Sequence, residues 1–253
     1  MRFTAEITSD GVCERSFTLD DIPGVLWSPA AAADSSDGAQ ARPLVLLGHG
    51  GGQHKKAPAV VARARRLTAC GMAAAAIDAP AHGERPKSES DQRCIATIRE
   101  LMADGEPVIS QIATYNAELA VRAIPEWQVT LDALQRTGDL GGTGPVGYWG
   151  LSLGTTLGIP LVAAEPRITA AVLGLSGLTG HDTLAEAAAR ITIPVQFLLQ
   201  WDDQLIPKDC GLALFDAFAS REKTLHANSG GHGDVPAFEP DSSLRFFARH
   251  LIS

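Results

Sequence analysis

The sequence predicts an α/β fold, a mostly parallel central sheet flanked by helices, on three observations. Short apolar runs such as 43–48 and 72–77 lack alternation, as strands covered on both faces do. The apolar period switches between helical and strand-like along the chain, the mark of βαβ units. Loops rich in Gly and Pro follow those runs, where the carboxyl ends of the strands would lie. At 253 residues the chain can bury a substantial core, and we read 1–253 as a single domain with a partial helical lid at about 90–124.

Residues 1–28 alternate apolar and polar positions around Gly11, which predicts an antiparallel hairpin or meander at a sheet edge. From Ser28 to Arg42, Pro, Ala, Ser, Asp and Gly dominate, and an exposed loop is expected. Pro43–Gly48 is the first buried strand, ending in His49-Gly50-Gly51-Gly52. A helix over about 57–70 stops at Gly71, and a second buried strand covers 72–77. Asp78-Ala79-Pro80-Ala81-His82-Gly83 follows it as a cleft loop.

Residues 90–137 predict two or three helices, split by Gly105 and Pro107 and interrupted again at Pro125. Strands are then expected at 146–149, 168–175, 195–200 and 223–227. Helices are expected between them, to about 164, over 183–190 and over 209–220, with a closing helix over 242–251.

Composition excludes several classes. A net charge of −8 argues against a general polyanion-binding surface, so no nucleic-acid partner is expected. Arg63, Arg65 and Arg66 read as the solvated face of one helix. No apolar run approaches a bilayer-spanning length, so no membrane association is expected. Four scattered cysteines without C-x-x-C spacing suit free thiols in a reducing compartment, with the cytoplasm as the default. Gly142 to Gly147 matches G-x-G-x-x-G but precedes a strand instead of joining a strand to a helix, which excludes a dinucleotide site. His49 and His54 lack a carboxylate or thiol at ligand spacing, so neither metal nor cofactor is expected.

The chemistry centres on Gly150-Leu151-Ser152-Leu153-Gly154, where an apolar run passes into a helical segment. A strand reversing directly into a helix holds its turn residue in a strained backbone, which makes Ser152 the candidate nucleophile. A serine hydroxyl needs a base, and the base an orienting acid. Asp202 and Asp203 both follow the 195–200 strand, and either can serve as that acid. Position removes His250, His226 and His181, while His232 stands in a glycine loop after the last strand. Oxyanion donors are expected from the backbone amides of Leu153 and of the triglycine loop, with Gly51 favoured.

Five pieces together resemble the α/β-hydrolase superfamily over about 43–251: His49-Gly50-Gly51-Gly52, Asp78-x-Pro80-x-His82-Gly83, Gly150-x-Ser152-x-Gly154, Asp203-x-x-Ile206-Pro207 and Gly231-His232-Gly233. The resemblance implies an α/β-hydrolase fold and a triad of Ser152, Asp203 and His232. It looks closest to compact serine esterases of the dienelactone-hydrolase-like group, although dienelactone hydrolase itself carries Cys where this chain has Ser152. The implied activity is hydrolysis of small-molecule carboxylic esters through an acyl-enzyme. Thioester, amide or carbon–carbon cleavage on the same triad, or ligand binding without catalysis, are the alternatives, and a homodimer stays open.

Overall fold

The computed structural model describes residues 1–30, 41–140, 142–179 and 183–252. Most of the loop expected over 28–42, and His181, lie outside the described residues. Nine strands form one sheet in the order β1-β2-β3-β5-β4-β6-β7-β8-β9. β1 (Arg2–Ser9), β2 (Val12–Leu19) and β3 (Ile22–Pro29) form the expected antiparallel meander, and β3 joins the rest by antiparallel pairing with β5 (Ala73–Ile77). β4 (Leu44–Gly48), β5, β6 (Val146–Gly150), β7 (Ile168–Gly174), β8 (Val195–Gln200) and β9 (Lys223–Asn228) are parallel.

The central strands are buried on both sides because successive side chains serve two different cores. Leu44, Leu46, Val146 and Tyr148 face the core under α3 (Ile109–Gln135), α4 (Leu153–Ala164), α5 (Thr183–Ala188) and α6 (Lys208–Ala217). Val45, Leu47 and Trp149 face α1 (Pro58–Ala69) and α7 (Glu239–Leu251). Each fully buried side chain of this size contributes about 1.5–3 kcal/mol. α1 opens on Pro58, whose missing N–H costs nothing there. It ends as expected at Gly71, where Met72 N–H reaches Leu67 O and Gly71 N–H reaches Thr68 O.

Two expectations are corrected. The 90–137 segment forms two helices split around Gly105 and Pro107 as expected, α2 (Glu89–Ala103) and α3, but α3 runs through Pro125 and is not interrupted there. Proline removes one helical hydrogen bond, but the stripe Leu119, Ala123, Trp127, Leu131 and Leu134 is buried above and below Pro125 and holds the axis together. Arg63 does not share a solvated face with Arg65 and Arg66, since its guanidinium lies over the Trp149 indole, 5.1 Å from the ring centroid. Among the described residues no helix is long and apolar enough to cross a membrane.

Candidate active site

The chain leaves β4 toward β5 on one side and reaches β6 on the other, so a crevice opens at the carboxyl ends of β4 and β6. Ser152 stands there, immediately after β6. Its backbone has φ 57° and ψ −120°, a conformation that costs a non-glycine residue about 1–3 kcal/mol. Surrounding contacts hold it. Ser152 N–H bonds Gly174 O at 3.0 Å, and Tyr148 Oη donates to Gly154 O at 2.6 Å. Thr155 Oγ1, wholly buried, lies 2.8 Å from Gly150 O and 2.6 Å from Gly174 O, and accepts from Gly174 N–H at 2.8 Å. A side chain on Gly150 would meet Gly154 O at 2.4 Å, and one on Gly154 would meet Gly48 O at 2.9 Å, so both positions require glycine.

The sequence-predicted residues converge. His232 Nε2 lies 2.9 Å from Ser152 Oγ, and His232 Nδ1 lies 2.7 Å from Asp203 Oδ2. Since a carboxylate only accepts, Nδ1 carries the proton and Nε2 is free to accept from the serine hydroxyl. Asp203 Oδ1 accepts the amides of Leu205 (2.8 Å) and Ile206 (3.0 Å). Burial raises the Asp203 pKa, but the hydrogen bonds from His232 and these two amides outweigh it and hold the carboxyl below its ordinary value. Asp202 points elsewhere, its Oδ2 accepting Gly230 N–H at 2.9 Å and tying the acid loop to the histidine loop.

The triglycine loop is a tight turn. Gln53 N–H bonds Gly50 O at 3.2 Å and Gly52 has φ 71°, the pattern of a type II turn with Gly51 at its second position. Gln53 Oε1 takes the Gly50 amide at 3.3 Å, while among the described residues the Gly51 amide has no acceptor. Leu153 opens α4, so its amide is one of the unpaired donors of a helix N-terminus. Gly51, Ser152, Leu153 and His232 line one cavity of about 830 Å³. Ile95, Ile98 and Met102 of α2 and Ile112, Tyr115 and Asn116 of α3 line it from above, within the 90–124 stretch.

Residues outside the motifs anchor these loops. Ala79 N–H donates to His49 Nε2 at 3.0 Å, so His49 is neutral and its Nδ1 donates to Gly50 O at 2.9 Å. Burial pushes the His49 pKa down to about 4. Gln200 Nε2 contacts Ser229 O, Gly231 O and Asp234 O, bracing the loop of His232. Thr155 and Gln200 escape sequence reading because one threonine or glutamine carries no spacing signal. Only the fold reveals what they meet.

Scans against protein-family models and curated proteins find no match. Solved structures do match. A cold-adapted esterase from an Arctic intertidal metagenomic library is 35% identical, with 99% of this chain and 100% of that one covered and a TM-score of 0.77. Dienelactone hydrolase from Anabaena variabilis, at 18% identity with 99% and 100% covered, has a TM-score of 0.64. Acetyl xylan esterase from Paenibacillus sp. R4, at 14% identity with 99% and 88% covered, has a TM-score of 0.64. The last two show the shared fold.

Proposed function

The chain belongs to the α/β-hydrolase superfamily, among its esterases, and from that premise we propose how its residues divide the work of ester hydrolysis. Ser152 Oγ attacks the ester carbonyl while His232 Nε2 takes the hydroxyl proton. The oxyanion formed is received by the amides of Leu153 and Gly51, whose fixed dipoles need no reorganisation. His232 returns the proton to the departing alcohol, leaving an acyl group on Ser152. Water, deprotonated by the same imidazole, then releases the acid and restores the serine. Asp203 keeps the imidazole in the tautomer and orientation that each transfer requires.

The observation that carries this reading is the unbroken chain from Ser152 Oγ through His232 to Asp203, spanning sequence separations of 80 and 29. Groups so far apart in sequence do not meet at hydrogen-bonding distance through local structure alone. The substrate is a small-molecule ester. Four unpaired cysteines support a cytoplasmic setting. The test is a fluorophosphonate probe with short p-nitrophenyl esters: labelling at Ser152 and loss of turnover in Ser152→Ala are expected. Undiminished turnover in that variant would refute the assignment.

A further inference from the structure

The cations of α1 have unequal fates. Arg65 reaches Asp10 and Arg66 reaches Asp241, both at the surface. Arg63 turns inward, and among the described residues no carboxylate lies within ion-pair distance of it. Its guanidinium rests on Trp149, which is 2% exposed and whose Nε1–H is itself buried without an acceptor. Burial lowers the Arg63 pKa to about 10, with only Tyr148 acting in the opposite direction. A half-buried cation without a carboxylate partner is a cost to the fold, one that a leucine or methionine on the same helix face would not incur.

Arg63 and Trp149 line the same cavity as Ser152 and His232. Lys87 and Arg99, exposed and without an ion pair among the described residues, line it from the rim. Among the described lining residues the one carboxylate is Glu239, and it is already held by His226 Nδ1 (2.8 Å) and Asn228 Nδ2 (3.0 Å). A chain of net charge −8 therefore has a cationic cleft. A field of that sign inside low-dielectric walls concentrates anions.

We propose that the cleft selects esters bearing a carboxylate away from the scissile bond, and that the Arg63 guanidinium, backed by the Trp149 ring, is the seat of that carboxylate. The planar fork of a guanidinium suits two carboxylate oxygens, and pairing there removes the cost of leaving it alone. This rests on the ester-hydrolase reading and adds the substrate class.

The test compares ester pairs differing only in carboxylate against carboxamide. One pair places the group on the acyl side (4-nitrophenyl glutarate and glutaramate), the other on the alcohol side (4-carboxyphenyl and 4-carbamoylphenyl butyrate). In the wild type, kcat/KM should favour the carboxylate member of one pair by about ten- to a hundredfold. In Arg63→Met that ratio should fall toward one while Tm holds or rises, because the lone charge is gone. A ratio near one in both wild-type pairs, or a ratio that Arg63→Met leaves intact, overturns the proposal. A second measurement, independent of that variant's folding, is calorimetric titration of the Ser152→Ala protein with glutarate: binding that the diamide glutaramide, which carries no carboxylate, does not reproduce is expected, and equal or absent binding of the two overturns it. Turnover of the carboxamide esters by Ser152→Ala would instead strike the ester-hydrolase reading, so the two failures are distinguishable.

Discussion

Asp78 grips Lys55 twice, accepting its backbone amide on Oδ1 and its ammonium on Oδ2, each at 2.8 Å. The loop carrying Gly51 is thereby locked to the loop carrying His82, and Glu84 N–H adds a third bond to the same carboxylate at 3.0 Å. Burial raises the Asp78 pKa, but the Glu84 amide and the Lys55 ammonium and amide outweigh it, so the carboxyl titrates below its ordinary value. Asp78→Ala leaves the Lys55 ammonium, whose side chain is 6% exposed, facing only Glu84. A stability loss of about 3–5 kcal/mol is expected in urea unfolding, with kcat reduced as the oxyanion loop loosens.

Under the proposed roles, Asp203 separates from its neighbour Asp202. Asp203→Asn should lower kcat by about 10⁴-fold, since an amide at this position no longer enforces the proton on His232 Nδ1. Asp202→Ala removes only the bond to the Gly230 amide and should stay within about threefold of wild type. Steady-state kinetics on one p-nitrophenyl ester checks both.

Gly51 offers a direct probe of a single backbone donor. Proline is favoured at the second position of a type II turn, so Gly51→Pro preserves the loop and deletes only the N–H. A fall in kcat of about 10²–10³-fold with unchanged Tm is expected.

Acid should weaken the fold through His49. Its folded pKa of about 4 lies below the ordinary 6.5, so between these values the unfolded chain binds a proton that the native chain refuses. Stability contributed by neutral His49 is complete above pH 6.5 and declines by about 3 kcal/mol as pH falls to 4. Urea unfolding across this window should show that slope in wild type and a shallower one in His49→Gln.

Asp91 joins the two helices that line the cavity, capping α2 through Ser88 and accepting Arg122 Nη2 at 2.6 Å and Tyr115 Oη at 3.2 Å from α3. The Arg122 hydrogen bond is the main reason its carboxyl stays well below the usual range. Asp91→Ala should fray α2 at a local cost of about 1–2 kcal/mol and raise KM more than it changes kcat.

What is legible in the sequence follows from the kind of signal each part carries. Five of the six parallel strands, β4 to β8, announce themselves because burial on both faces permits mostly apolar runs, whereas the half-buried edge strand β9 carries Lys223, Thr224 and His226; the turn at Ser152 is legible because close backbone approach demands glycine at 150 and 154. His232 stands out by its place after the last strand. The choice between Asp202 and Asp203 needs resemblance, because two adjacent carboxylates look alike until loop geometry points one at the imidazole. Arg63 reads as solvated because a helix with three nearby arginines does not reveal which one faces inward. Pro125 reads as a break because the rule for a helix interior weighs one lost hydrogen bond without the tertiary contacts that retain it.

The separation of Ser152 from His232 also has a consequence in time. A ribosome adds about 5–20 residues per second, so the 80 positions between Ser152 and His232 take roughly 4–16 s to make. During that interval the nascent chain carries its serine but has nothing to activate it. On the proposed division of roles, hydrolytic competence begins only once β9 has paired and the loop carrying His232 is in place.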